Sequence, residues 1–374
     1  MDYNWDINKI NDQINGVKRL IKQEKHSIQE KEYMKMCLKD LELLRKSCYQ
    51  DVSCFLVNTP SIPFYRYVDK NHFLPYLNYK AYINLPLEVR KLIFDSRKYL
   101  FDFSEVEDLD VDSFYISNDD LVNMSDDFYK SLNNGKYYQF FREFTNKNNH
   151  LLRFIPDTCS SINADTLTTF YPSYVPYFTI ERTNTYTDFI SINHEIAHGI
   201  LSRYDHYKFT FTESDLLCEL EGDFFDYLSA KYLKENGYEQ VVRKIELEKL
   251  NSIYFSFCDF ILYHYAIESL KRNNNIDHIL VNQEILLDGF ETFLDKSNLI
   301  DSLQQSPKLN ATYLISFLTS IELEEIYEYD PEYAFYLLEK IRFNKEDTVV
   351  DNLRKNKIKF VDGDYQVLEK KLRI

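Results

Sequence analysis

Residues 188–200 read Asp-Phe-Ile-Ser-Ile-Asn-His-Glu-Ile-Ala-His-Gly-Ile, and the spacing of the two histidines decides how the rest of the chain is read. Ile190, Ile192, Ile196, Ala197 and Ile200 make this segment an apolar helix that belongs inside the molecule. At about 3.6 residues per turn, positions four apart share a helix face, so His194 and His198 can grip one metal ion. Glu195 stands beside that face, near enough to hold a water at the metal without ligating it. In a chain with eight His, the pattern His-Glu-x-x-His arises by accident at about the one-per-cent level. An accidental match would more often sit on a polar face, so the apolar context favours a zinc site.

Two imidazoles leave zinc short of the three protein ligands typical of a catalytic centre. The next candidate is Glu219 in Leu-Leu-Cys-Glu-Leu-Glu-Gly-Asp-Phe-Phe-Asp (216–226), which follows His198 by 21 residues (219 − 198). That is room for a loop and a returning helix. Asp223 and Asp226 fall on the same helical stripe as Glu219, at spacings of four and three. A carboxylate there can accept a hydrogen bond from the distal nitrogen of a metal-bound His and fix its tautomer. Glu221 is the competing ligand, but it points about 200° away from Glu219 on a helix. Leu216, Leu217, Leu220, Phe224 and Leu228 mark the helix as largely buried, where an unpaired carboxylate is costly.

Working outward, helical patterns dominate. Residues 5–50 carry apolar positions such as Ile10, Ile14, Val17 and Ile21 at spacings of three and four. Further helices are expected at 87–103, 118–148, 187–203, 214–236, 239–272, 281–297, 309–326 and 331–341, with Ser117 as a cap. Residues 59–88, with four Pro, read as an irregular connection, and the acidic run at 105–112 as a solvated turn. The one strong β signal is 166–182, rich in Thr, Tyr, Phe and Val. Pro172 and Pro176 restrict it to edge or irregular strands. Near Phe178–Glu181 such an edge could pair with an extended peptide. The expectation is a mainly α fold with a small β element beside the zinc cleft. An N-terminal helical region, 1–150, would precede a catalytic region, 151–374, within one continuous helical unit.

Composition narrows the function classes. The chain has 374 residues, only seven Gly and nine Pro, and a net charge of -16. Scarce turn residues disfavour an all-β fold. A polyanionic surface repels phosphate backbones and anionic lipids, so neither nucleic acid nor membrane is an expected partner, although a cationic peptide would be drawn to it. The abundant Tyr (31) and Phe (28) read as compositional bias of the genome rather than an aromatic binding function. No basic-then-apolar start and no stretch approaching 18 apolar residues is visible, and the six Cys lack paired spacing. A cytoplasmic location with reduced thiols is therefore expected, while the oligomeric state is left open. Tyr263-His264-Tyr265, in another apolar helix, reads first as core aromatics and second as an oxyanion donor.

With these residues in hand, the region 171–228 resembles the thimet oligopeptidase and oligoendopeptidase F family. There an aromatic, Pro-containing strand leads into an Asn-Gly-Thr-like turn, an Asp and the His-Glu-x-x-His helix, as Asn184-Thr185-Tyr186-Thr187-Asp188 does here. The family's Glu-x-x-Ser-x-Phe-x-Glu is matched by Glu219 to Asp226, with Gly222 for Ser and Asp226 for the closing Glu. A weaker similarity covers 308–341, where Tyr313 falls at the position of a carbonyl-polarising tyrosine. Ala197, Leu201 and Leu309 depart from the family pattern, and the chain is shorter than typical members. The resemblance implies a compact peptidase with one Zn²⁺ per chain on His194, His198 and Glu219. Glu195 would be the general base, Tyr313 a catalytic donor, and a short peptide the substrate. A processing peptidase dedicated to one leader or signal peptide, and a catalytically weak peptide-binding protein on the same fold, are the alternatives.

Overall fold

The computed structural model describes residues 7–25, seven positions within 31–45, and 85–100, 116–156, 166–170, 175–202, 216–273, 307–344 and 346–372. The expected helix at 281–297, the acidic run at 105–112 and nearly all of the connection at 59–88 lie outside the described residues. The chain is mainly α-helical, with one small sheet. It forms two compact units, one of 1–64, 110–211 and 225–245, the other of 65–109, 212–224 and 246–374. A boundary at residue 150 therefore runs inside the first unit.

In the first unit, α1 (Ile7–Ile21) buries Ile10, Ile14 and Val17, three of the four positions its periodicity marks. The segment 118–148 is two helices rather than one: α3 (Asn118–Ser131) and α4 (Gly135–Thr145), numbered after α2 (Leu87–Leu100) of the second unit. The break is Asn133-Asn134-Gly135. Asn133 adopts a left-handed conformation, which Asn tolerates better than most residues, and Asn134 caps α4. Ser117 caps α3 as expected, accepting from the Asp120 amide and donating to the Asp120 carboxylate.

The sheet runs β1 (Leu152–Pro156), β3 (Val175–Arg182), β2 (Thr166–Phe170) from side to side. β1 pairs parallel and β2 antiparallel with β3. This corrects part of the reading of β3 as an edge: Phe178 and Thr179 have a strand on both sides, whereas Ile180 and Glu181 pair with β1 alone. The proline rule still holds locally. β1 pairs only with 178–182, so Pro176 stands where β3 has a single neighbour, and its missing N–H costs no ladder bond. α5 (Thr187–Ser202) packs on β3, α3 and α4. Around it, Phe128 makes edge-on contacts with Phe189, Phe225 and Tyr232, and Tyr129 stacks on Phe141 at 4.6 Å.

α6 (Leu220–Glu235) and α7 (Glu239–Asn273) each contribute to both units. In the second unit the central element is α8 (Pro307–Tyr329), which packs on α2, α9 (Pro331–Arg342) and α11 (Gln366–Leu372). Leu314, Ile315, Phe317, Leu318, Ile321 and Leu323 are buried along with Ser316, Thr319, Ser320, Glu322 and Glu324, so α8 is covered on every face over these residues rather than along one stripe. α9 starts at Asp330-Pro331, where Asp330 caps the helix and Pro331 gives up an amide that has no helical partner there. The short α10 (Val349–Lys355) and α11 are too brief for a periodic signal and were not anticipated. Among the described residues, no helix is long and apolar enough to cross a membrane.

Candidate metal centre

The turn before α5 is built around Asp188. Its Oδ1 accepts from the Thr183 amide and hydroxyl, and its Oδ2 from the Asn184 amide and from Arg182 Nε at 2.7 Å. Arg182 closes β3 and also donates to Asn118 and to the Ile116 carbonyl. Both members of the pair are buried. Asn184 has φ 58°, a left-handed conformation accessible to Asn, and this is how the chain turns without a glycine. The pair ties the end of β3 to the start of α5 and so fixes the rotation of the helix. Arg182 was absent from the sequence reading, although an Arg six residues before a buried Asp is the kind of signal that could have found it.

On α5, His194 and His198 turn their rings toward each other, with centroids 4.7 Å apart and planes at 79°. Their Nε2 atoms are 3.1 Å apart. Two nitrogens about 2.0–2.1 Å from one tetrahedral zinc stand roughly 3.4 Å apart, so the spacing suits a shared metal. His194 Nδ1 meets Asp226 Oδ1 at 2.9 Å, which makes Nδ1 the protonated nitrogen and leaves the Nε2 lone pair facing His198. Asp226 thus occupies the position next to the histidine that its place on the α6 stripe predicted. Glu195 is 7% exposed, beside the imidazoles on the same helix.

The third carboxylate arrives on α6. The helix starts at Leu220, later than the expected 214, so Glu219 is its N-cap residue: its carbonyl accepts from the Asp223 amide at 2.9 Å. The helical spacing to Asp223 and Asp226 survives because the first helical bond is already closed there. Ligand atoms of His194, His198 and Glu219 all lie within 4.8 Å of one another. Two imidazoles and one carboxylate are the donor set of a three-ligand catalytic zinc site, with a fourth position left for water.

Glu221 is turned elsewhere. It is 2% exposed and receives Arg342 Nε on both oxygens, at 3.1 and 2.8 Å. Asp223, 4% exposed, holds the ammonium of Lys249 from α7. Neither cation was foreseen, since Arg342 lies 121 residues from its partner and no local pattern links them. The only available signal was general: buried carboxylates on α6 demand cations from somewhere.

Tyr313 lies on α8, in the same unit as Glu219. Ser316 on that helix donates to the Leu216 carbonyl at 3.3 Å, which ties α8 to the stretch that leads into Glu219. Burial, and then the nearby charge of Glu219, push the Tyr313 hydroxyl up to about 12, so it keeps its proton at neutral pH and can donate. The side chains of Tyr263, His264 and Tyr265 lie outside the described residues.

No family model and no curated protein matches the sequence. Solved structures do match. A protein from Bacillus anthracis str. Ames described as an oligoendopeptidase F is 12% identical with a TM-score of 0.52, over 92% of this chain and 62% of that one. PZ peptidase A, solved with an inhibitor, gives 12% and 0.53, over 92% and 65%. A structure from Chlamydophila abortus described as a peptidase gives 13% and 0.54, over 96% and 66%. At such identity the likeness is one of fold: the helical fold of oligoendopeptidase F, in agreement with the resemblance carried by the motifs. The chain spans less than two-thirds of the length of each of these proteins, 62% to 66%.

Proposed function

We propose that the chain is a zinc-dependent endopeptidase that hydrolyses short peptides. One Zn²⁺ per chain would be held by His194, His198 and Glu219. The observation that carries this reading is the convergence of those three ligand atoms within 4.8 Å, beside a buried glutamate. When bound, zinc lowers the pKa of a water and polarises a peptide carbonyl. Asp226 orients His194 through Nδ1. Glu195 takes a proton from the attacking water and returns it to the departing amine. Tyr313, protonated at neutral pH, donates to the oxygen on which negative charge develops.

Two measurements test the reading. Protein purified without added metal should carry one zinc per chain by elemental analysis; a chain that holds none and takes up none overturns it. Glu195→Gln should keep zinc while losing at least about 10²-fold in turnover, because an amide cannot accept the proton. Near-normal turnover would remove Glu195 from the role. Mass spectrometry of a mixed peptide library then separates general peptide hydrolysis from cleavage of one dedicated peptide, and from binding without cleavage.

A further inference from the structure

The turn that presents Glu219 is fastened on both sides by ion pairs. Asp223, one turn beyond Glu219 and joined to it by the amide-to-carbonyl bond at 2.9 Å, holds Lys249 of α7. Glu221, on the opposite face, is gripped at both oxygens by Arg342 of α9. Both carboxylates are almost fully buried, and the Arg342 side chain is only 13% exposed. Lys249 is 30% exposed, so solvent weakens the Glu221 pair little and the Asp223 pair somewhat more. A Lys and an Arg from two different helices thus hold the first turn of α6, and Glu219 sits at its mouth.

Why a metal ligand needs such fastening follows from charge and geometry. Glu219, Glu221, Asp223 and Asp226 place four carboxylates within eight residues. Left alone they would repel one another and draw the N-terminus of α6 toward water. A ligating carboxylate must also be held to within about 0.5 Å of its productive position, and groups behind it do that holding. The cations offset the charge of Glu221 and Asp223, while Glu219 and Asp226 meet the histidines. Lys249 also lies close enough to Tyr313 for its charge to act on the hydroxyl, against the effects of Glu219 and Asp223.

We propose that Lys249 and Arg342 are positioning residues for the metal, acting through the Asp223 and Glu221 ion pairs to hold Glu219 in its ligating place. This rests on the zinc reading given above. Neither residue need touch metal or substrate. Their effect is on how much of the time the third ligand is in register.

The test is a set of zinc affinities measured by chelator competition, with the melting temperature of each metal-free variant as a check of folding. Lys249→Met and Arg342→Met should each weaken zinc by about 10- to 100-fold, the range for groups that orient a ligand. Lys249→Arg should recover most of the loss, because it restores the charge. Arg342→Lys, which keeps the charge but loses the two-pronged grip, should fall between and serves if Arg342→Met fails to fold. In a Glu219→Ala background the same substitutions should change zinc affinity by no more than about twofold, since residues that act through one group are not additive. Unchanged affinity in the single variants overturns the proposal. So does a loss that persists undiminished without Glu219, because the pairs would then act on the fold at large. A wild-type chain that takes up no zinc overturns the metal reading, and this proposal with it; zinc-binding wild type with indifferent variants overturns the proposal alone.

Discussion

At the scale of single residues, the centre assigns different tasks to four acids within eight positions. Glu219 faces the imidazoles, Asp226 holds His194, and Glu221 and Asp223 take cations. The consequence for substitution is a ranking. Glu219→Ala should abolish tight zinc binding, since two imidazoles remain. Asp226→Ala should weaken it by about 10- to 100-fold, because His194 loses the partner that fixes its tautomer. Isothermal titration with zinc against a competing chelator gives the order, and an Asp226→Ala variant with wild-type affinity would show that the 2.9 Å contact does nothing for the metal. Helix pitch alone separates Glu219 from Glu221, and that part was legible in the sequence; Asp223, expected behind a histidine with Asp226, is instead paired with Lys249. What sequence did not carry was the identity of the cations, because ion pairs between distant helices depend on the tertiary fold.

At the scale of elements, α5 owes its fit to one small residue. A Cβ added at Gly199 would overlap the ring of Phe178 on β3 and crowd Phe144 on α4. Gly→Ala inside a helix ordinarily gains about 1 kcal/mol. Here the fully buried Phe178 ring has nowhere to go, and overpacking costs about 1–3 kcal/mol. Gly199→Ala should therefore lower stability in urea denaturation of the metal-free protein; an increase would mean the ring can rotate aside. The long helices α5 to α9 were readable because each keeps a helical pattern over three or more turns. Three features were less so. The break at Asn133–Gly135 is short, though Asn-Asn-Gly marks it. β1 has five residues and no strong alternation. The central position of β3 came from pairing with strands on both sides, and local composition cannot report how many neighbours a strand has.

At the scale of the whole molecule, the net charge of -16 sets the field that a peptide would meet under the proposed peptidase function. Opposite charge accelerates encounter, and salt screens it over about 8 Å at physiological ionic strength. For matched peptides that differ only in Lys or Glu away from the cleaved bond, kcat/KM should favour the Lys peptide at low salt. The advantage should shrink as salt is raised, and equal salt dependence for the two would remove long-range attraction from the account. The interleaving of the two units has a different consequence, for the order of events during synthesis. The first unit is complete only when residue 245 has been made, and the second draws on segments from 65 to the last helix. The contacts that α2 makes with α8 and α11 can form only after those helices emerge, more than two hundred residues later. Early exposure of that apolar face, rather than any weakness of the finished molecule, is where a chaperone would find work.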